Sequence, residues 1–242
     1  MGVTNYNDAV AEGGEQQRSY EWFRRRLGYF TGSEVYKLMG SGRNKDKDFS
    51  DTAMQYLEAK AAERCIDENV YTDDYWLQTY LDNNGVYVNR QMQYGIDNED
   101  VARHEFAAEM GVECVEEVGS CRHPSIPFFA ASPDGLFTDA EGKKVNIEIK
   151  VPKEATFVRY VTRIRSAEDL KIVKPEYFWQ IVATQACTGA DYSYFIAYSN
   201  FTYPGLYFVR IERDEEMIKA VERRVVLANK KIYELVQILK NS

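Results

Sequence analysis

Eight residues in the middle of the chain, Lys144-Val145-Asn146-Ile147-Glu148-Ile149-Lys150-Val151, alternate polar and apolar without a break. Such a period of two is what an extended strand requires, because successive side chains leave opposite faces. Val145, Ile147, Ile149 and Val151 then enter a core, while Lys144, Asn146, Glu148 and Lys150 share the other face. An isolated E-x-K on such a strand is ordinarily a half-exposed surface pair. Whether this one does more depends on what surrounds it.

The flanking sequence supplies a sheet and its cover. Further strands are expected at residues 112–118, 128–132, 192–198 and 206–212. In the N-terminal third, residues 17–27 place Tyr20, Phe23 and Leu27 along one helical side, with Trp22 beside them. Thr31-Gly32-Ser33-Glu34 fits a T-x-x-E capping box that opens a helix through Val35 and Leu38 and stops at Gly40. Residues 41–50 read as a polar, lysine-rich loop, and Asp51 as the cap of a helix through Met54, Leu57, Ala61 and Cys65. Residues 73–84 stay open between helix and irregular structure. A long helix is expected over 88–110, ended by Gly111, and another over 177–188, ended by Gly189. The amphipathic helix over 213–240 turns Met217, Val221, Val225, Ala228, Ile232, Leu235 and Ile238 inward. No repeat or linker interrupts the chain. The expectation is one α/β domain over 1–242: a mainly helical part to 87, a core over 88–212 and a last helix, with a central mixed sheet flanked by helices.

Charge narrows the function classes through its distribution. The net charge is -8, yet residues 18–47 hold eight Lys and Arg against three acids, and residues 143–174 hold nine against four. Two basic segments in an acidic chain suit a local polyanion track, although ordinary solvated faces would look the same. Cys65, Cys114, Cys121 and Cys187 form no Cys-x-x-Cys pair, so reduced, buried thiols are expected and no disulfide, zinc or iron–sulfur site. The first twenty residues lack an apolar stretch, and the uncharged run at 192–209 is broken by Pro204-Gly205. Neither a signal peptide nor a membrane helix is expected, and the location expected is cytoplasmic. Residues 40–45 lack P-loop spacing, which argues against ATP use, and no G-x-S-x-G or H-E-x-x-H occurs. His104 and His123 are not spaced as metal ligands. The aromatic residues of 192–208 could stack bases, but their alternation is more typical of sheet core.

A second signal lies upstream of the alternating strand, at Ser132-Pro133-Asp134-Gly135. Pro-Asp-Gly alone is a common turn, with Pro presetting φ and Gly accepting a positive one. Here a strand leads into it and the E-x-K strand follows about ten residues later, a hairpin-like spacing. Adjacent strands could then bring the Asp134 and Glu148 carboxylates to one hard cation such as Mg²⁺ or Mn²⁺. Glu99 is a third candidate, since it interrupts the apolar face formed by Met92, Ile96, Phe106 and Met110. It needs a positive partner, and a salt bridge to Arg103 at i+4 serves as well as a functional site.

Taken in order, these blocks resemble a known family. P-D-G followed by I-E-I-K resembles the PD-(D/E)xK nuclease signature with its restriction-endonuclease-like core. Flanking motifs resemble the phage lambda exonuclease group, the YqaJ-like viral recombinases. They are W-x-x-x-R-x-G-x-x-T-x-S at 22–33, G-x-x-x-E-x-x-A at 95–102, S-P-D-G at 132–135, E-x-K-x-P at 148–152, Y-x-x-Q at 177–180 and an aromatic strand at Tyr194-Phe195. Gly32 stands where Ala is commoner.

The resemblance implies that Asp134, Glu148 and the Ile149 carbonyl hold a first metal, with Glu99 near a second metal or its water. It implies that Lys150 orients the attacking water, and that Arg26, Thr31, Ser33 and Gln180 bind a terminal 5′-phosphate. The activity implied is a Mg²⁺-dependent 5′→3′ exonuclease on linear double-stranded DNA that leaves 3′ overhangs for recombination. The partners implied are DNA ends, a homotrimeric ring and a single-strand annealing protein. The alternatives are a restriction-type endonuclease, for which no target-recognition segment is found, and a DNA-end-binding module without turnover.

Overall fold

The computed structural model of the protein describes residues 19–40, 48–84, 90–112, 115 and 117–241. The N-terminal part carries α1 (Tyr20–Arg26), β1 (Phe30–Thr31), α2 (Tyr36–Met39), α3 (Asp51–Glu63), α4 (Glu68–Thr72) and α5 (Asp74–Asn83). The long α6 (Arg90–Met110) leads to β2 (Cys121–Arg122), β3 (Phe129–Ala131), β4 (Gly135–Thr138) and β5 (Lys144–Lys150). Next come α7 (Glu154–Arg163), α8 (Ala167–Val173) and α9 (Pro175–Thr188), then β6 (Tyr192–Tyr198), β7 (Leu206–Glu212) and α10 (Glu215–Lys240).

The alternating segment is β5, and it sits inside a four-stranded sheet ordered β4-β5-β6-β7. β4 and β5 form an antiparallel hairpin, closed where Asp139 accepts backbone bonds from Glu141 and Lys143 through its own side chain. Such an Asx turn lets a short polar side chain substitute for a missing backbone partner. β5 and β6 run parallel, with Lys150 opposite Ala197, so the chain needs a crossover between them, and α7 to α9 supply it. A second, smaller sheet is ordered β1-β3-β2 and is also mixed. The mixed, helix-flanked α/β architecture expected from sequence is therefore present, with this second sheet in addition.

Helices cover both faces of the larger sheet. On one side, Ala102 and Phe106 of α6 pack on Val145, Ile147, Ile149, Tyr194 and Ile196. On the other, Phe157, Ile181, Val182 and Val225 from α7, α9 and α10 pack on Phe195 and Ala197. The polar face of β5 is thus not a surface, since Asn146 and Glu148 are only 1% and 2% exposed. Buried polar groups must find partners. Gln185 of α9 donates to Ser193 Oγ at 2.9 Å and to the Ile211 carbonyl at 3.2 Å, and Ser193 in turn donates to Asn146 Oδ1.

Several local expectations change. The T-x-x-E box does not close as a cap: Thr31 pairs in β1 with Ala130, and Glu34 salt-bridges Lys37 and Lys60 rather than reaching back. The helix consequently starts a turn later, at Tyr36. Ser50, not Asp51, caps α3, accepting the Ala53 N–H at 3.1 Å. Residues 73–84 resolve as α5 behind an Asp73 cap, and α4 precedes it. The expected strand at 112–118 does not form among its described residues, where Val115 is buried in a loop, while Glu113, Cys114 and Glu116 lie outside the described residues. Expectations for residues 17–18, 41–47 and 88–89 also lie outside them. Helix α10 buries Ile218, Val221, Val225, Ala228 and Ile232, and Leu235 is partly buried, but Ile238 in the last turn is exposed. Cys65 is exposed rather than buried.

Gly135 has a different reason from the one its motif suggests. Its φ is not positive, and the hairpin turn lies later, where Gly142 carries φ +78. A Cβ on Gly135 would stand 2.5 Å from Val115 Cγ1 and 3.0 Å from the Ile147 side chain. Gly135→Ala should therefore destabilise the fold by about 1–3 kcal/mol through overpacking, read as a lower urea midpoint at unchanged m-value.

Candidate active site

The chain passes from the small sheet to the large one at Ser132-Pro133-Asp134, between the end of β3 and the start of β4. Three hydrogen bonds hold Asp134 at that crossing. Its N–H donates to the Ile147 carbonyl at 3.1 Å, its carbonyl accepts Arg103 Nε at 2.9 Å, and its Oδ2 accepts the Ile149 N–H at 2.6 Å. The carboxylate is thereby fixed against β5 by the strand's own backbone. Arg103 is spent on Asp134, Asp100 and Glu117.

Glu148 and Lys150 project from the same face of β5, as the alternation requires. The Lys150 ammonium contacts Glu148 Oε1. Glu148 Oε2 is buried and accepts no hydrogen bond among the described residues. Leaving a carboxylate oxygen so costs at least about 1–3 kcal/mol. Burial pushes the Glu148 carboxyl up to about 8, with the Asp134 and Glu99 charges adding to it against Lys150. Burial pulls the Lys150 ammonium down, but Glu148 and Asp134 outweigh it and hold it above the usual lysine range. The proton therefore stays on Lys150. Its Nζ also lies 5.1 Å from the centre of the Tyr177 ring, which stacks on Phe195 at 6.0 Å.

Four groups spread from residue 99 to residue 150 thus converge electrostatically. Glu99, half-exposed on α6, contributes its charge to the Glu148 site. The donor set is all oxygen, which suits a hard divalent cation, and the partnerless Glu148 oxygen is where such an ion would satisfy the structure. Among the described residues, no three Asp, Glu, His or Cys side chains stand close enough to enclose an ion alone. An ion taking two carboxylates and completing its shell from water and phosphate would not need three.

The N-terminal motif meets this site from the side. Arg26 Nη1 donates to Ser132 Oγ at 3.2 Å, two residues before Asp134, and its guanidinium lies 4.0 Å from the Trp22 ring centre. Burial brings the Arg26 pKa down to about 10, which leaves it charged at neutral pH. Thr31 is buried in β1 with its Oγ1 3.4 Å from Ser33 Oγ, and Ser33 is exposed. Gly32 between them backs onto α9, where a Cβ would lie 3.6 Å from the Gln180 carbonyl. Arg26 thus meets Ser132, while Thr31 and Ser33 adjoin each other and Gly32 between them faces the Gln180 backbone. Ahead of α2, residues 32–35 form a turn in which the Gly32 N–H is taken by the Ala130 carbonyl and the Glu34 N–H by the Thr31 carbonyl.

Three contributors were not assigned to the site from sequence. Tyr177 and Ser132 stood inside quoted motifs, so a signal existed. Arg103 was read only as a salt-bridge partner for Glu99, and nothing in the sequence marks its bond to a main-chain carbonyl. The histidines are indeed apart from the site. His123 Nδ1 accepts the Ser125 and Ile126 N–H groups while Nε2 faces Glu222 at 3.1 Å.

The model of the YqaJ-like viral recombinase domain matches residues 21–191. No curated protein matches the chain. Among solved structures, the chain is similar to an alkaline exonuclease, LHK-Exo, from Laribacter hongkongensis, at 29% identity and TM-score 0.72, covering 92% of this chain and 97% of that one. The structure of LHK-Exo in complex with dAMP matches at 28% identity and TM-score 0.71, with the same coverage. A phage-related exonuclease from Haemophilus somnus 129PT shares 14% identity over 87% of this chain and 96% of that one, with TM-score 0.63, a likeness of fold alone.

Because the folded Glu148 carboxyl ionises near 8 rather than in the usual range, its neutral form favours folding. That stability is fully present below the unfolded pKa and is lost as pH rises toward 8. In chelator, the unfolding free energy measured by urea titration should fall between pH 5 and 8, by an amount on the order of a few kcal/mol. Glu148→Gln should flatten that slope; parallel pH profiles for the two proteins would contradict the assignment.

Proposed function

Because this chain belongs to the YqaJ-like viral recombinase family, we propose that it is a 5′→3′ exonuclease acting on linear double-stranded DNA. It is a nuclease of the lambda-exonuclease type, and what the proposal adds is polarity, cofactor and product. The observation that carries it is the buried Glu148 oxygen without a partner, set beside Asp134 and a charged lysine.

Asp134, Glu148 and the Ile149 carbonyl would hold Mg²⁺, or Mn²⁺ in its place, and Glu99 a second ion or its water. Bound there, the cation neutralises phosphate charge and acidifies water for in-line attack. The remaining duties fall to the chain. Lys150 donates a hydrogen bond to the attacking water and so orients it toward phosphorus. Glu148 Oε1 and the Tyr177 face keep that ammonium from wandering, and pairing of Lys150 with Ala197 of β6 fixes its stem. The Ile149 N–H steadies Asp134, so that its carboxylate does not rotate as charge builds.

The position of Arg26 supports the proposed polarity. A terminal 5′-phosphate held by Arg26, with Thr31, Ser33 and Gln180 alongside, lies one short step from Asp134 through Ser132. An end anchored there presents the next phosphodiester to the carboxylates, releasing mononucleotides and leaving 3′ overhangs. The dAMP complex of LHK-Exo is consistent with such a product. A homotrimeric ring around DNA and an annealing protein that takes up the overhang complete the proposal, in the cytoplasm of a bacterial or phage-infected cell. No helix among the described residues is long and apolar enough to cross a membrane.

With Mg²⁺, linear duplexes should shorten from 5′-phosphorylated ends while covalently closed circles survive; rapid cutting of circles would mark an endonuclease instead. Lys150→Ala should bind DNA ends with near-normal affinity and hydrolyse them about 10³-fold more slowly. Arg26→Ala should erase the preference for a 5′-phosphate over a 5′-hydroxyl, a loss of roughly 10- to 100-fold in kcat/KM.

A further inference from the structure

The aromatic run at 192–208 divides in a way its alternation does not reveal. Tyr192, Tyr194, Phe195 and Tyr198 are buried in β6, as sheet core should be. Phe201 and Tyr203, in the connection to β7, are 69% and 102% exposed. Two large rings in water on one short loop call for a reason.

The loop is built rather than slack. The Ser199 N–H donates to the Gly205 carbonyl at 2.8 Å, closing its base, and the Phe201 N–H donates to Ser199 Oγ at 3.3 Å. The closure is tight enough that a Cβ on Gly205 would lie 2.7 Å from the Ser199 carbonyl oxygen. Asn200 donates a side-chain hydrogen bond to Asn98, the residue before Glu99 on α6. The Phe201 ring stacks on Tyr94 one turn earlier on the same helix, with centres 6.0 Å apart and planes 17° from parallel.

Topology sets this loop at the mouth of the site. β5 and β6 run parallel, so the loop leaves β6 at the same end at which β5 presents Lys150. Asn200 is three residues past Ala197, the partner of Lys150, and therefore within about 15 Å of the Lys150 backbone. At about 3.4 Å per nucleotide along a strand, that is a few bases from the reacting phosphate.

We propose that Phe201 and Tyr203 form a base-stacking platform that grips the DNA a few nucleotides from the scissile bond, which rests on the exonuclease function proposed above. Base–aromatic stacking is indifferent to sequence, as every base offers a π-face, and so suits an enzyme that must read through any DNA. The platform is tied to α6 beside Glu99, so the base it holds is indexed to the site. It is a positioning device and takes no part in bond breaking.

The test uses duplexes with 2-aminopurine placed singly at each of the first four nucleotides from either end of each strand, bound in Ca²⁺ to the full chain. Wild-type protein should change the fluorescence at one or two of those positions. F201L/Y203L should abolish that change, weaken DNA binding about tenfold, and raise KM more than it lowers kcat. F201Y/Y203F, which keeps both rings, should restore all three readouts. Sedimentation of each variant identifies the competing role: if F201L/Y203L alters subunit association while DNA binding is unchanged, the rings are a contact between copies and the stacking proposal is overturned. Equal fluorescence and affinity for F201L/Y203L and wild type overturn it too, with the exonuclease function intact. If wild-type protein neither binds nor degrades duplex ends, both fail together.

Discussion

One hydrogen bond organises the site: the Ile149 N–H into Asp134 Oδ2, 2.6 Å long. It joins the residue at the crossing between two sheets to the strand that carries Glu148 and Lys150. An unpaired backbone N–H in a buried strand is costly, so the chain cannot drop the contact without leaving a donor orphaned. The same bond decides where the Asp134 charge sits, and through that charge it acts on Glu148 and Lys150. Arg103 completes the restraint from α6 by bonding the Asp134 main-chain carbonyl, so a helix and a strand hold the same residue.

The cost of the arrangement is concentrated in Glu148. Three acids, one of them buried on every side, repel each other, and one ammonium does not balance them. A cation would relieve that repulsion, so the residues that make the ion-free protein uneasy are those that would hold an ion firmly. Tyr177 has a quieter part, presenting a ring face to Lys150 from the first turn of α9.

Legibility in the sequence followed the range of the forces involved. The alternation from 144 to 151 gave β5 correctly, because period-two patterning is local and strong. By itself it reads the polar face, with Asn, Glu and Lys on one side, as solvated, and only tertiary packing reveals that Asn146 meets Ser193, which Gln185 of α9 holds from behind. Gly135 shows the same limit, since Pro-Asp-Gly reads as a turn while the glycine answers to Val115 and Ile147. The T-x-x-E box was overridden by β1 pairing with β3, a contact a hundred residues away. Asp134, Glu148 and Lys150, drawn from ordered motifs, do lie within electrostatic reach of one another, whereas the bond from Arg103 to a carbonyl has no side-chain pattern to betray it.

The Gln185–Ser193–Asn146 chain has a consequence for how the catalytic strand could be moved or rebuilt. Apolar packing alone would accept β5 shifted by two residues almost as readily as the native pairing, since aliphatics would still meet aliphatics. Asn146 would then have no hydroxyl opposite it, and a stranded amide in a dry layer rejects the shifted alignment. The three residues thus behave as a locating pin. Grafting Glu148 and Lys150 onto another scaffold without that pin would transfer the reagents but not their address.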